Sequence, residues 1–211
     1  HLKINNVLKL DKIFPNIKND TILNNQKIKI KYNKNKIEIF GSGNIFLQDK
    51  ADIIKYKVIN HKEEFYFDTS LKITKNPLII DFLDYKKNKK SNLNLNFKGK
   101  LNNKDLLFNQ IKLTEDKNFI LIKNLIMSKD YKINKVEKIE IDLFDKKNFY
   151  NNLKIKNDKN HYNVIGNSLN IDKIVSKLLK TESKDKKKFF NKNFKFFFDI
   201  KEIFLDETNT I

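Results

Sequence analysis

The side chains that most often do chemistry are sparse in this chain and are not grouped. The three histidines, His1, His61 and His161, are too scattered to form a recognisable ligand set. The chain has no cysteine, which excludes disulfides, zinc–thiolate clusters and thiol catalysis. No serine lies in a nucleophile-elbow motif. We therefore predict no catalytic centre, no metal site and no cofactor, and we expect the protein not to be an enzyme.

The glycine and carboxylate patterns lead to the same expectation. Gly41-Ser42-Gly43-Asn44 lacks the third glycine and the following helix of a phosphate-binding loop, so it is interpreted as a turn or bulge. The acidic residues mostly alternate with lysine along strand-like segments, which is typical of solvated charges on a sheet surface. No pair of carboxylates is singled out as a general acid and base.

The formal net charge of +18 would ordinarily suggest a nucleic-acid partner. However, the chain contains lysine but no arginine. Arginine supplies the bidentate fork used on phosphate and guanine. Abundant Lys, Asn, Ile and Phe indicate the codon bias of an AT-rich genome. We predict no nucleic-acid partner. The apolar runs, such as Leu78-Ile79-Ile80, are also far shorter than the roughly 20 residues of a membrane-spanning helix.

Alternation of apolar and polar residues is the main structural signal. Lys27 to Tyr32, the turn Asn33-Lys34-Asn35 and the alternating Ile37 and Ile39 predict a β-hairpin. About a dozen such segments follow one another with short polar connections, which favours antiparallel neighbours. The predicted fold is mainly β: an antiparallel meander that forms a curled sheet, trough or half-barrel.

Most predicted strands have one apolar face, and a long apolar face must be closed, covered or bound to something apolar. We predict that ten of these residues line a common surface: Ile28, Ile30, Ile37, Ile39, Leu93, Leu95, Phe97, Ile139, Ile141 and Leu143. Two arrangements are open at this point. The surface is either an open trough or the packed core of an ordinary sandwich.

The segment from Tyr162 to Lys180 changes from strand to helix periodicity. Tyr162 and Val164 alternate with polar residues, Gly166 ends that pattern, and Asn170 is placed to cap a helix. An apolar stripe at helical spacing then follows, and it predicts an amphipathic helix over 170–180 that packs on the sheet. The stripe consists of Ile171, Ile174, Val175, Leu178 and Leu179.

The chain is expected to be a single β-rich segment, residues 1–211, of a longer protein. It starts at His1 without an initiator methionine, and it ends soon after an apolar run. Residues 85–91 form a Lys/Asn-rich stretch that is a candidate sub-boundary, and 181–188 form a charged, solvated loop.

The strand–glycine–helix unit resembles a motif of the AsmA-like superfamily, which includes YhdP- and TamB-type proteins. Its residues run Tyr-Asn-Val-Ile-Gly-Asn-Ser-Leu-Asn-Ile-Asp-Lys-Ile-Val-Ser-Lys-Leu-Leu from Tyr162, where the family has strand–Gly–x–Ser/x–Leu–Asp–x–x–x–Leu–Leu. Asn170 stands where an aspartate is common. The preceding strands are similar to the family's serial short strands, and the resemblance covers Ile73 to Leu205. These strands are Asn92–Gly99, Leu106–Leu113, Phe119–Met127 and Val136–Leu143.

The resemblance implies a function. Proteins of this superfamily are anchored in the inner membrane of Gram-negative bacteria and extend through the periplasm. Their curled sheets are thought to carry phospholipid toward the outer membrane. We therefore expect a periplasmic segment whose apolar face contacts phospholipid acyl chains, with other segments of the same longer chain as neighbours and membrane contact only through regions outside 1–211. The alternative is a generic β-rich module for protein–protein interaction or scaffolding in the cell envelope.

Overall fold

The computed structural model of the chain describes residues 2–5, 18, 20–102, 105–128, 130–159, 161–179 and 194–205. The protein is mainly β, as the alternating pattern predicts. Its strands are, in chain order, β1 (Leu2–Asn5), β2 (Asp20–Asn33), β3 (Lys36–Phe46), β4 (Asp52–His61), β5 (Glu64–Ile73), β6 (Ile79–Ile80), β7 (Tyr85–Lys86), β8 (Leu93–Leu101), β9 (Asp105–Glu115), β10 (Asn118–Ser128), β11 (Ile133–Lys135), β12 (Lys138–Phe144), β13 (Tyr150–Asp158), β14 (His161–Asn170) and β15 (Lys195–Phe204).

Thirteen of these strands form one large sheet. Its order is β1-β2-β3-β4-β5-β8-β9-β10-β12-β13-β14-β15, and β11 pairs with β10. The sheet is not closed: in the described part of the chain, β1 and β15 are its two outer strands. β6 and β7 form a separate two-stranded ribbon.

Two-residue turns set the register of several hairpins. β2 and β3 are joined at Lys34-Asn35, which confirms the hairpin predicted there. Lys62 and Asp116 each begin a two-residue turn with a positive φ, of 57° and 50° respectively. Primed turns of this kind match the twist of the strands that they connect. Sequential strands therefore lie side by side.

The predicted antiparallel meander does not extend to the last pair of strands. β14 and β15 pair in parallel, with Val164 opposite Phe198. A parallel neighbour needs a crossover connection rather than a tight turn, and the long connection across 171–194 provides it. The other paired neighbours of the described sheet are antiparallel.

The predicted amphipathic helix over 170–180 is not supported as a major packing element. Helix α1 (Asp172–Leu179) has eight residues, below the length at which helices are stable without extensive tertiary packing. The Asn170 side chain accepts a hydrogen bond from the Asp172 amide at 3.0 Å, as predicted for a cap, but Asn170 itself ends β14.

The predicted helix stripe is correspondingly reduced. Ile171 precedes α1 and packs against the main core, whereas Ile174 and Val175 are half-buried. The side chains of Leu178 and Leu179 lie outside the described residues, as does the charged loop predicted at 181–188. The helix is therefore a short part of the crossover and not a layer that covers the sheet.

The connection between β5 and β8 packs against one face of the sheet. Residues 74–92, which we call the capping segment, link β5 to β8, and those two strands pair directly with Ile73 opposite Leu93. The segment contains β6, β7 and a 3-10 turn at Asp81–Leu83. The apolar run Leu78 to Leu83 is thus strand only at Ile79–Ile80. The candidate sub-boundary at 85–91 lies within this segment.

Side-chain bonds attach the capping segment to both sides of the sheet. Asn76 donates to Asp52 at the start of β4 at 2.6 Å. Lys146, between β12 and β13, forms an ion pair with Asp84 at 3.0 Å. Between these attachments, Leu78, Leu83 and Tyr85 are buried in the main core. The segment therefore fills one end of this face, which we call the capped end.

Candidate functional site

The face that contacts the capping segment, here called the inner face, carries a continuous row of residues across eleven strands. Each member of the row lies directly opposite the next one in the strand register. The row is Ile28, Gly41, Tyr56, Thr69, Phe97, Ile111, Ile122, Ile139, Ile155, Val164 and Phe198. This central row contains no charged residue.

Neighbouring rows on the inner face are also apolar. Toward the capped end, Leu95 and Ile141 belong to a row that runs from Gly43 on β3 to Ile200 on β15. Toward the opposite, open end, the next row runs from Ile30 to Leu125. Its members are Ile30, Ile39, Val58, Phe67, Gly99, Phe108 and Leu125. Charged side chains are absent from these two described rows as well.

All ten residues predicted to line one surface lie on the inner face. Seven of them belong to the three rows described above. Ile37 lies in the next row toward the open end, and Leu93 and Leu143 lie beyond the three rows at the capped end. The ten residues are Ile28, Ile30, Ile37, Ile39, Leu93, Leu95, Phe97, Ile139, Ile141 and Leu143.

Exposure of these side chains changes across the inner face. Leu93 and Leu143, at the capped end, are each 0% exposed. Leu95, Phe97 and Ile139 are only partly buried. At the sides of the sheet, Ile28 is 50% exposed and Phe198 is 63% exposed. The capped end is thus a closed core, whereas the central row, in which Val164 is buried, is left uncovered by described residues mainly at its two outer strands.

Three half-buried phenylalanines form a cluster on the inner face, where two of them also pack against a second buried cluster that includes Leu125 and Val136. The rings of Phe67, Phe97 and Phe108 contact one another edge to face, with centroid separations of 5.5 to 6.4 Å. Such contacts stabilise a wall of aromatic surface beyond simple burial of area. Phe67 and Phe108 were not among the predicted surface residues, although Phe65 and Phe67 alternate in sequence.

A second aromatic group lies beside β15. Tyr162 stacks on Phe196 with a centroid separation of 5.4 Å and meets Phe194 edge to face at 5.2 Å. The Tyr162 hydroxyl accepts a hydrogen bond from the Val136 amide at 3.2 Å, so its polar end is satisfied although the residue is buried. The apolar surface therefore extends to the last strand.

The opposite, outer face of the sheet is rich in lysine, and it carries carboxylates that form ion pairs with these lysines. Lys138 and Glu140 form an ion pair at 2.6 Å. The hydrogen bond from Lys138 lowers the pKa of Glu140 below its usual range. Similarly, the pKa of Glu64 is lowered by its hydrogen bond from Lys100. The two faces of the sheet thus differ sharply in polarity.

Buried polar groups at the capped end have structural partners. Glu115 accepts hydrogen bonds from Tyr85, Ser91 and the Asn88 amide. Asp145 accepts from the amides of Lys147 and Phe149 and from the Asn170 side chain. These bonds hold connections in place.

Comparison of the chain with protein-family models, with curated proteins and with solved structures found no match. Within the described residues, no group of three or more His, Asp or Glu side chains is placed to hold a metal ion. None of the helices in that same part of the chain has the length and apolar content needed to cross a membrane.

Proposed function

We propose that the chain is a non-enzymatic segment of a periplasm-spanning, AsmA-like protein, and that its inner face carries phospholipid acyl chains between the inner and outer membranes. The observation that carries this proposal is the uncharged central row from Ile28 to Phe198, which is incompletely covered. An acyl chain requires a continuous apolar track and makes no fixed polar contacts. The resemblance of the Tyr162 unit to the AsmA-like motif supplies the cellular context.

The dimensions of the uncovered region suit this role. Between Ile28 and Tyr32 the inner face extends for four residue steps, or roughly 14 Å at about 3.4 Å per step. This is close to half of the roughly 30 Å thickness of a bilayer's hydrocarbon core. A phospholipid tail aligned with the strands would therefore keep its headgroup near the open end, away from the capping segment.

The alternative is a β-rich scaffold or protein–protein interaction module of the cell envelope. The closed core at the capped end favours it, because Leu93, Leu143 and Tyr85 are packed as in any folded domain. In that case a protein surface would cover the central row. The two proposals differ in what contacts Phe67.

Adjacent residues of β5 provide a matched test, since Phe67 lies on the inner face and Tyr66 on the outer face. Each would be replaced separately by the photo-crosslinker p-benzoylphenylalanine. The purified variants would be mixed with vesicles of phosphatidylethanolamine and phosphatidylglycerol, irradiated, and analysed by mass spectrometry. We expect phospholipid adducts from position 67 and few from position 66.

Equal adduct yields at the two positions would show only general adsorption to the vesicles. Crosslinks from position 67 that join only residues of the same chain would reject the lipid proposal. That second result would leave the scaffold alternative.

A further inference from the structure

The strand β2 has an incompletely paired edge. On one side, residues 27–33 of β2 pair continuously with β3, and the register shifts between Asn24 and Lys27. On the other side, the described residues provide only β1, which pairs with residues 20–23. Backbone groups on such an edge are available to an added strand.

The side chains along this edge alternate in a regular way. Lys27, Lys29 and Lys31 lie on the outer face, and residues 24–33 include no acidic residue. Ile30 and Tyr32 lie on the inner face and are 64% and 73% exposed. A strand added here would meet three lysines on one face and a row of uncovered apolar side chains on the other.

We propose that this edge of β2 binds an extended segment of a partner protein in which acidic and apolar residues alternate. Its backbone would extend the sheet, its carboxylates would lie beside Lys27, Lys29 and Lys31, and its apolar side chains would lie beside Ile28, Ile30 and Tyr32. The partner would lie next to β2 rather than over the inner face. The inference is therefore independent of lipid binding.

The sheet itself contains this type of pairing. On β12, Glu140 lies on the outer face, and Ile139 and Ile141 lie on the inner face. Glu140 is opposite Lys154 of the neighbouring strand, and their charged groups are 3.6 Å apart. An acidic–apolar strand is thus compatible with a lysine–apolar strand in this sheet.

The same charges disfavour a second copy of β2 as the partner. Two β2 edges would bring their lysine rows together, and like charges on adjacent strands are destabilising. Phosphate groups would satisfy the lysines but not the exposed apolar residues that alternate with them. The acidic, alternating strand is the partner that matches both faces.

Amide hydrogen exchange on the intact 211-residue chain tests the proposal. The probe is a synthetic peptide that repeats Glu-Ile-Asp-Leu, and the control peptide repeats Lys-Ile-Lys-Leu. We expect the acidic peptide to slow exchange of amides within residues 24–33 at least tenfold, with no effect of the lysine peptide. A protein with both Lys29→Glu and Lys31→Glu should reverse this preference.

A matched control carries Lys98→Glu and Lys123→Glu on central strands, where both lysines are exposed. It changes the net charge equally and should keep the preference for the acidic peptide. If the acidic peptide did not slow amide exchange within 24–33, the proposal would be overturned. The role left for the lysines would then be to prevent edge-to-edge aggregation. Slow exchange without peptide would mean that the chain itself, or a second copy, already covers the edge. Equal protection by duplex DNA or phosphatidylglycerol vesicles would indicate a general anion site.

Discussion

The hydroxyl of Tyr85 donates a hydrogen bond to the Glu115 carboxylate at 2.5 Å, and both side chains are almost completely buried. Tyr85 belongs to the capping segment and Glu115 ends β9. This contact joins two elements that are 30 residues apart in sequence. It also accounts for the burial of this carboxylate, since Glu115 accepts from the Asn88 amide at 2.7 Å as well.

Replacement of Glu115 should destabilise the capped end. In Glu115→Gln, the amide nitrogen cannot accept a hydrogen bond, so at least one of the buried donors loses its acceptor. We expect a loss of roughly 1–3 kcal/mol in the free energy of unfolding, measured by urea denaturation. Asp68→Asn, on the exposed outer side of β5, is the matched control and should change stability little. Equal effects of the two substitutions would contradict a structural role for Glu115.

Alkaline pH should weaken the same contact. Burial, followed by the hydrogen bond to Glu115, raises the pKa of Tyr85 above its ordinary value of 10. The folded chain therefore holds the phenol proton to higher pH than the unfolded chain does. The resulting stabilisation is complete below pH 10 or so and is lost as the pH rises above that value.

The Tyr85→Phe variant lacks this proton, so its stability should fall less steeply between pH 9 and 11. Thermal melts of both proteins across that range measure the difference, and the titration of lysines cancels in the comparison. Tyr32→Phe, at an exposed position of β2, is the control and should follow the unsubstituted protein. Parallel stability curves for Tyr85→Phe and the unsubstituted protein would contradict the prediction.

Two leucines of β8 allow the closed and open parts of the inner face to be compared. Leu93→Ala should cost about 2–5 kcal/mol, because this fully buried side chain leaves a cavity. Leu95→Ala lies two residues further along the same face, and Leu95 is only partly buried. Its cost should be nearer the free energy of transferring the lost apolar surface out of water, about 1–2 kcal/mol, without a large cavity. Chemical denaturation measures both. A cost for Leu95→Ala as large as that for Leu93→Ala would indicate a closed core throughout.

Alternation in the sequence was sufficient to predict a mainly β fold and to assign residues such as Ile30 and Ile139 to apolar strand faces. It could not predict irregularities within a strand. Strict alternation from Ile111 would place Asn109, not Phe108, on the inner face. A register shift at Gly99 instead places Phe108 there, and this shift completes the aromatic cluster.

The capping segment could not be predicted either. Contacts such as Tyr85 with Glu115 and Asn76 with Asp52 join residues 30 and 24 positions apart, and no periodic pattern encodes such pairs. The extent to which the helix packs on the sheet was overestimated, because in this case a periodic pattern was present. The spacing of Ile171, Ile174 and Val175 fits a helix, but the pattern contains no information about how much of the sheet that helix covers.

A charge on the inner face should block acyl-chain binding without unfolding the protein. Val58 and Ile59 are adjacent on β4, and both are half-buried β-branched residues. Val58 lies on the inner face beside Phe67, whereas Ile59 lies on the outer face opposite Tyr66. Val58→Lys and Ile59→Lys change the net charge equally, so they differ only in the face that receives the ammonium group.

Lysine is expected to be tolerated at both positions because its long stem lets the charge reach water. At position 58, however, the charge interrupts the apolar row next to the central row, and burying it against an acyl chain would be costly. We therefore expect Val58→Lys to reduce phospholipid adducts from the crosslinker at position 67 at least tenfold, with Ile59→Lys close to the unsubstituted protein. Circular dichroism melts would establish that both variants are folded. Similar adduct yields in two folded variants would show that the inner face does not hold the lipid.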